Sequence, residues 1–152
     1  MNIRPDTLRH LLEQWPVAHL ASVTPAGRAH VVPIVFVHDH DHLVTPIDGK
    51  RKDGGRLQRL RNLEANPDVE IVIDHYDANW ENLWWVRLSG VAREIKMDAA
   101  LETKLRAKYP QYENLGGGAL SDTATAVTWS RVVAWAQSGD EEAIREAVRR
   151  LG

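Results

Sequence analysis

The sequence predicts a mainly β fold, a small closed or nearly closed antiparallel barrel of six strands with flanking helices, and three observations carry that expectation. Short β-type runs outnumber helical stretches, turn chemistry separates them, and one helical stretch interrupts them after the third run. A parallel βαβ fold would need a helix between most strands. The chain of 152 residues is long enough for one real core and one site, so residues 1–152 are expected to form a single domain.

The first element is helical, with Leu8, Leu11, Leu12 and Trp15 on one face, Asp6 as N-cap and Pro16 as stop. From Val17 the pattern turns to β-type runs, Val17 to Val23 and Ala29 to Val37, around the turn Thr24-Pro25-Ala26-Gly27-Arg28. A third run, His42 to Ile47, follows the turn His38-Asp39-His40-Asp41. Asp53-Gly54-Gly55 is read as opening the second helix, with Leu57, Leu60 and Leu63 as its apolar stripe and Asn66-Pro67 as its end. Val69 to Tyr76 and Leu83 to Ile95 are the next strands. Met97, Leu101, Leu105 and Tyr109 then mark a helix with Pro110 near its end. Residues 111–124 hold Gly116-Gly117-Gly118 without periodicity and read as a mobile loop. Ala126 to Ala136 is the last strand, and Ile144, Val148 and Leu151 mark a C-terminal helix.

Composition narrows the chemistry. Hydrophobic residues at 43% and charged residues at 26% suit an ordinary soluble domain, and no stretch has the run of ~20 apolar residues that crosses a bilayer. The N-terminus lacks the pattern of a secretory signal, so the cytoplasm is the expected compartment. Without cysteine there is no disulfide, thiolate nucleophile or Cys-held metal. A net charge of −2 gives no general attraction to nucleic acid. Its distribution is uneven, however: Lys50, Arg51, Lys52, Arg56, Arg59 and Arg61 face the single acid Asp53. A positive island on an otherwise acidic chain suits a small polyanion such as a phosphorylated cofactor.

That island is the strongest candidate site. Free N–H groups at Gly54, Gly55 and Arg56, taken as a helix N-terminus, would meet an anion with favourable dipole field. At 100° per residue Arg56 falls between Leu60 and Leu63 and so points along the apolar stripe. The competing reading is a solvated charged face past which Arg56 snorkels. Tryptophan is the second signal. Of the six, adjacent Trp84 and Trp85 on one strand must face opposite ways, so one fills the core and the other needs a helix, a partner subunit or a bound aromatic ring as cover. His38, His40 and His42 alternate with aspartates but sit at a turn with no second ligand cluster, so no metal site is assigned. No serine lies in a nucleophile elbow, and there is no Walker or Gly-x-Gly-x-x-Gly loop.

Several stretches, in order, carry a resemblance: Leu20-Ala21-Ser22-Val23, Gly27 to Phe36, Leu43-Val44-Thr45-Pro46-Ile47-Asp48, the basic run Lys50 to Arg61, and Arg61-Asn62-Leu63-Glu64-Ala65-Asn66-Pro67. Together they resemble the pyridoxamine 5′-phosphate oxidase-like split barrels from about Leu8 to Gln137. Asp74-His75-Tyr76-Asp77 and Leu83-Trp84-Trp85-Val86-Arg87 are similar in particular to the actinobacterial branch that depends on the deazaflavin coenzyme F420. The resemblance implies a six-stranded Greek-key split β-barrel and a homodimer with cofactor at the subunit interface. It also implies hydride transfer to a small unsaturated molecule, with the hard chemistry carried by the cofactor. By the same resemblance Lys50, Lys52, Arg56 and Arg59 match the phosphate-binding positions. His30, Val32 and Pro33 match the strand lining ring and ribityl chain, and Trp135 an aromatic near the end of the last strand. No catalytic side chain is assigned. Two departures stand out. Asp53-Gly54-Gly55 replaces the hydroxyl residue that relatives often carry after Lys-x-Lys, and the C-terminus lacks the Arg-Leu-x-Pro ending of true pyridoxamine phosphate oxidases. FMN-dependent oxidoreduction is the alternative to F420. A non-catalytic flavin carrier, or a haem-binding barrel using His19, His30 or His75, is a third possibility.

Overall fold

The computed structural model describes residues 1–48, 57–114 and 120–152. Helix α1 (Pro5–Gln14) enters on a proline, whose fixed φ suits the first helical position. Arg4 is therefore the N-cap, and Asp6 lies inside the first turn where capping was expected of it. Leu11, Leu12 and Trp15 bury the predicted stripe. The hairpin of β1 (Ala18–Val23) and β2 (Ala29–Ile34) turns at Thr24–Arg28, where Gly27 takes φ 81°, a value that favours glycine.

The run expected as one strand over Ala29–Val37 divides in two. After Ile34 the chain passes through Val35 and Phe36 only, then starts β3 (Val37–Asp39), which pairs with β4 (His42–Asp48) across a tight turn at His40. Four strands thus precede α2 (Gln58–Ala65), and β5 (Asp68–His75), β6 (Trp84–Lys96) and β7 (Leu120–Ala136) bring the count to seven, not six. Helix α3 (Ala99–Lys108), capped by Asp98, stands between β6 and β7, and α4 (Glu142–Leu151) closes the chain. Residues 111–124 are not one loop. A 3-10 turn occupies Pro110–Asn114, and β7 begins at Leu120 because its early part pairs with both β4 and β6.

The seven antiparallel strands run in the order β2-β1-β5-β6-β7-β4-β3, so β2 and β3 are the two edges. Laid flat at ~4.8 Å per strand, the outer two would stand roughly 29 Å apart. Yet the two-residue link Val35–Phe36 joins them and reaches only about 10 Å. The sheet must roll until these edges approach at the link, while its ladder stays open there, so of the closed and nearly closed barrels expected the closed one is ruled out. Tyr109 stitches this seam. Its hydroxyl accepts the Phe36 N–H at 2.9 Å and lies 2.9 Å from the Phe36 carbonyl and 3.0 Å from that of Pro16, either of which can take its proton.

Alternation splits the tryptophan pair as expected. Trp84 is 1% exposed in a core with Leu20, Ile71, Ile73, Val86, Leu88 and Val127, covered by α1 and α4. Trp85 faces outward beside its cross-strand neighbour Trp135. Helix α3 covers the outer face over Val37, Val44, Ala124 and Ala126, with Ile95 and Leu120 packed at the margin of the same cluster. Between Ser89 and Gly90 the register of β6 on β7 slips, with Ser130 as the extra residue. There the β7 backbone presses so close that a Cβ on Gly90 would stand 2.1 Å from the Thr128 carbonyl oxygen. No helix among the described residues is long and apolar enough to cross a membrane.

Candidate functional site

The edge strand β2 presents two different surfaces. Its register on β1 sets Val32 opposite Leu20 and His30 opposite Ser22, on the core side, whereas Pro33 and Val31 stand on the outer side with His19 and Ala21. The predicted trio His30, Val32 and Pro33 therefore does not line one face. Pro33 is tolerated because an edge strand spares its missing N–H. Val31 is 60% exposed, while Val32 packs against the core from the rim. The His30 ring is half-buried, and its Nδ1 is buried without a hydrogen-bond partner among the described residues.

Helix α2 supplies the charge. It starts at Gln58 with Leu57 as N-cap. The Leu60 N–H already donates to the Leu57 carbonyl at 3.1 Å, so the helix opens at Leu57–Gln58, and the expectation that Asp53-Gly54-Gly55 opens it, with Arg56 in the first turn, is corrected. Lys50, Lys52 and Arg56 themselves lie outside the described residues. At about 100° per residue, Asn62, Arg59, Leu63 and Leu60 follow one another around an arc of roughly 160°. Arg59 consequently sits inside the buried face. Its Nη2 donates to the Pro46 carbonyl at 2.6 Å, and its Nε is buried with no partner among the described residues. Burial lowers its pKa, yet a guanidinium stays charged at any physiological pH. A fixed cation holding one unspent N–H is the chemistry that an oxyanion satisfies.

Two residues unmarked in the sequence complete this end. Asn62, fully buried, donates from Nδ2 to Ser22 Oγ at 3.0 Å and accepts from Gln58 Nε2 at 2.8 Å. Arg61 is exposed and donates to Gln58 Oε1 at 2.6 Å. Thr125, opposite Thr45 and next to the Pro46–Ala124 pair, buries a hydroxyl that also lacks a partner among the described residues. The orphaned donors fit a phosphate-bearing group. Trp135 is not brought to them. It stands eleven residues past Ala124 on β7, roughly 35 Å of strand path at ~3.3 Å per residue, and is 39% exposed on the outer face. Among the described residues no three His, Asp or Glu side chains gather as metal ligands. His19 and His75 lie beside Asp74 and Asp77 at 3.8 and 3.6 Å.

The sequence pattern of the family described as pyridoxamine 5′-phosphate oxidase matches residues 5–148. The chain belongs to this family. Solved structures agree on the fold. A conserved hypothetical protein from Mycobacterium tuberculosis is 14% identical with a TM-score of 0.72, over 91% of this chain and 88% of that one. An F420 reductase is 25% identical with a TM-score of 0.57, over 81% of this chain and 93% of its own. A haem storage protein from Vibrio cholerae is 17% identical with a TM-score of 0.64, over 90% and 95%. No curated protein matches the sequence. In this member of the pyridoxamine 5′-phosphate oxidase family, the α2 end of the barrel leaves the Arg59 Nε without a hydrogen-bond partner among the described residues, as β6 does the Arg87 Nε and the Trp84 Nε1.

Proposed function

We propose that the chain is an oxidoreductase that binds the deazaflavin coenzyme F420 and reduces a small unsaturated organic molecule. The observation that carries the reading is the half-buried Arg59 guanidinium, anchored through one nitrogen and with a buried Nε unpaired among the described residues, at the helix that follows the basic run. When bound, the coenzyme supplies the hydride; the chain binds its anionic part, orients the ring along β2 and keeps water from that face. The choice of F420 draws on the F420 reductase at 25% identity, and FMN is the second reading, favoured by the family itself. A homodimer belongs to the proposal, because Trp135 can reach a site at the α2 end only if a second copy supplies it.

The test is a titration of the purified protein with F420, FMN and haem side by side, followed by absorbance. Saturable binding of F420, with Arg59→Ala weaker by about 2–3 kcal/mol and Arg61→Ala nearly unchanged, is expected for loss of one charge-assisted bond from a half-buried cation. Tightest binding of FMN moves the assignment to the second reading. Haem binding alone, or an Arg59→Ala protein that binds as the parent does, overturns it.

A further inference from the structure

We infer that Asn62 is a positioning residue for the cofactor's phosphate, fixing the rotation of α2 and with it the place of the Arg59 guanidinium, whose Nε is buried and unpaired among the described residues; this rests on the reading above. Helix α2 has only eight residues, too few to be stable without tertiary contacts. Its polar side chains tie it to two strands that are not neighbours in the sheet. Asn62 holds it to β1 through Ser22, and Arg59 holds it to β4 through the Pro46 carbonyl. With one tie gone, the helix is free to roll about the other, and Arg59, one turn from Asn62, would move with it.

Stability alone does not explain an asparagine here. In a helix interior Asn is a poorer helix former than Leu, and burying its amide costs free energy that its hydrogen bonds only offset. A leucine at this position would extend the stripe of Leu60 and Leu63. What an apolar side chain cannot do is fix the rotation of the helix, because its contacts have no direction. The chain Gln58, Asn62, Ser22 is directional at each step, and Ser22 is the cross-strand neighbour of His30. The network therefore sets the Arg59 helix and the His30 strand relative to each other.

The experiment compares binding of whichever of F420 and FMN the parent holds more tightly with binding of the same ring and ribityl chain lacking phosphate. Asn62→Leu should weaken the phosphorylated ligand about tenfold, the equivalent of one good hydrogen bond misplaced. The phosphate-free ligand should change less than about twofold, and the thermal midpoint should hold or rise. Ser22→Ala removes the same tie from another element and should act alike, while Ser22→Thr, which keeps a hydroxyl, should restore binding; this pair decides the matter if Asn62→Leu fails to fold. Equal weakening of both ligands marks Asn62 as a packing residue and overturns the inference, as does no change in either. A parent that holds the phosphorylated ligand no better than its phosphate-free form overturns the phosphate role of Arg59 itself, a result visible before any variant is made.

Discussion

At the scale of single residues, sequence reasoning reached Arg59 but not Asn62. A cluster of cations stands out against acidic surroundings, whereas one asparagine in a polar helix reads as solvent-facing. The signal was present, since the helical wheel places Arg59 between Asn62 and Leu63, but only the contact with Ser22 shows that this arc is buried. Gly90 was equally silent, because a glycine inside a strand can mark a bulge, a bend or nothing. The structure makes it restrictive: Thr128 and Trp129 backbone atoms occupy the space of any Cβ. Gly90→Ala should therefore destabilise the protein by about 3 kcal/mol or more, since backbone and not a flexible side chain must yield. Urea unfolding measures this, and a loss below about 0.5 kcal/mol would show that the bulge relaxes freely.

At the scale of elements, helices with strong apolar stripes were legible and connections were not. Leu101, Leu105 and Tyr109 gave α3, and Leu11, Leu12 and Trp15 gave α1. The break between β2 and β3 left no mark, because Val35 and Phe36 continue the apolar run and the backbone of Phe36 is satisfied by the distant Tyr109. Helix α3 also ties back to α1: Lys108 Nζ donates to the Leu12 carbonyl at 2.9 Å and sits 3.7 Å over the Phe36 ring. Burial pushes this lysine from 10.5 down to about 7, against the pull of Glu13. The unfolded chain thus keeps a proton that the folded one releases, and stability should rise between about pH 7 and 10.5. Tyr109 works the other way. Burial raises it from 10.0 to about 12, so its contribution holds below pH 10 and is lost as pH climbs toward 12. Unfolding free energies across this range should peak near pH 10, and Lys108→Met should flatten the rising limb. A parent profile that is flat between pH 7 and 10 would refute the assignment.

At the scale of the whole molecule, the antiparallel barrel was legible from the spacing of its runs, although its seam was not. Helix α3 covers part of the outer sheet face and leaves Trp85, Trp135, Val31 and Val91 on the remainder. Apolar area of that kind is characteristic of an interface, and a mass measurement in dilute solution is expected to give twice the chain's 17.2 kDa; Trp135→Glu should shift it to the single-chain value. A parent that is monomeric throughout would leave the Trp135 of a partner without a role. The Val35–Phe36 link has a consequence of a different kind. Sheet edges carry unsatisfied backbone groups that can recruit a strand from a stranger and begin aggregation. Here one edge bears a proline at Pro33 and the other is three residues long. The short link pins the end of one margin, Ile34, to the start of the other, Val37, so at that point neither can swing away from its own molecule to meet a stranger.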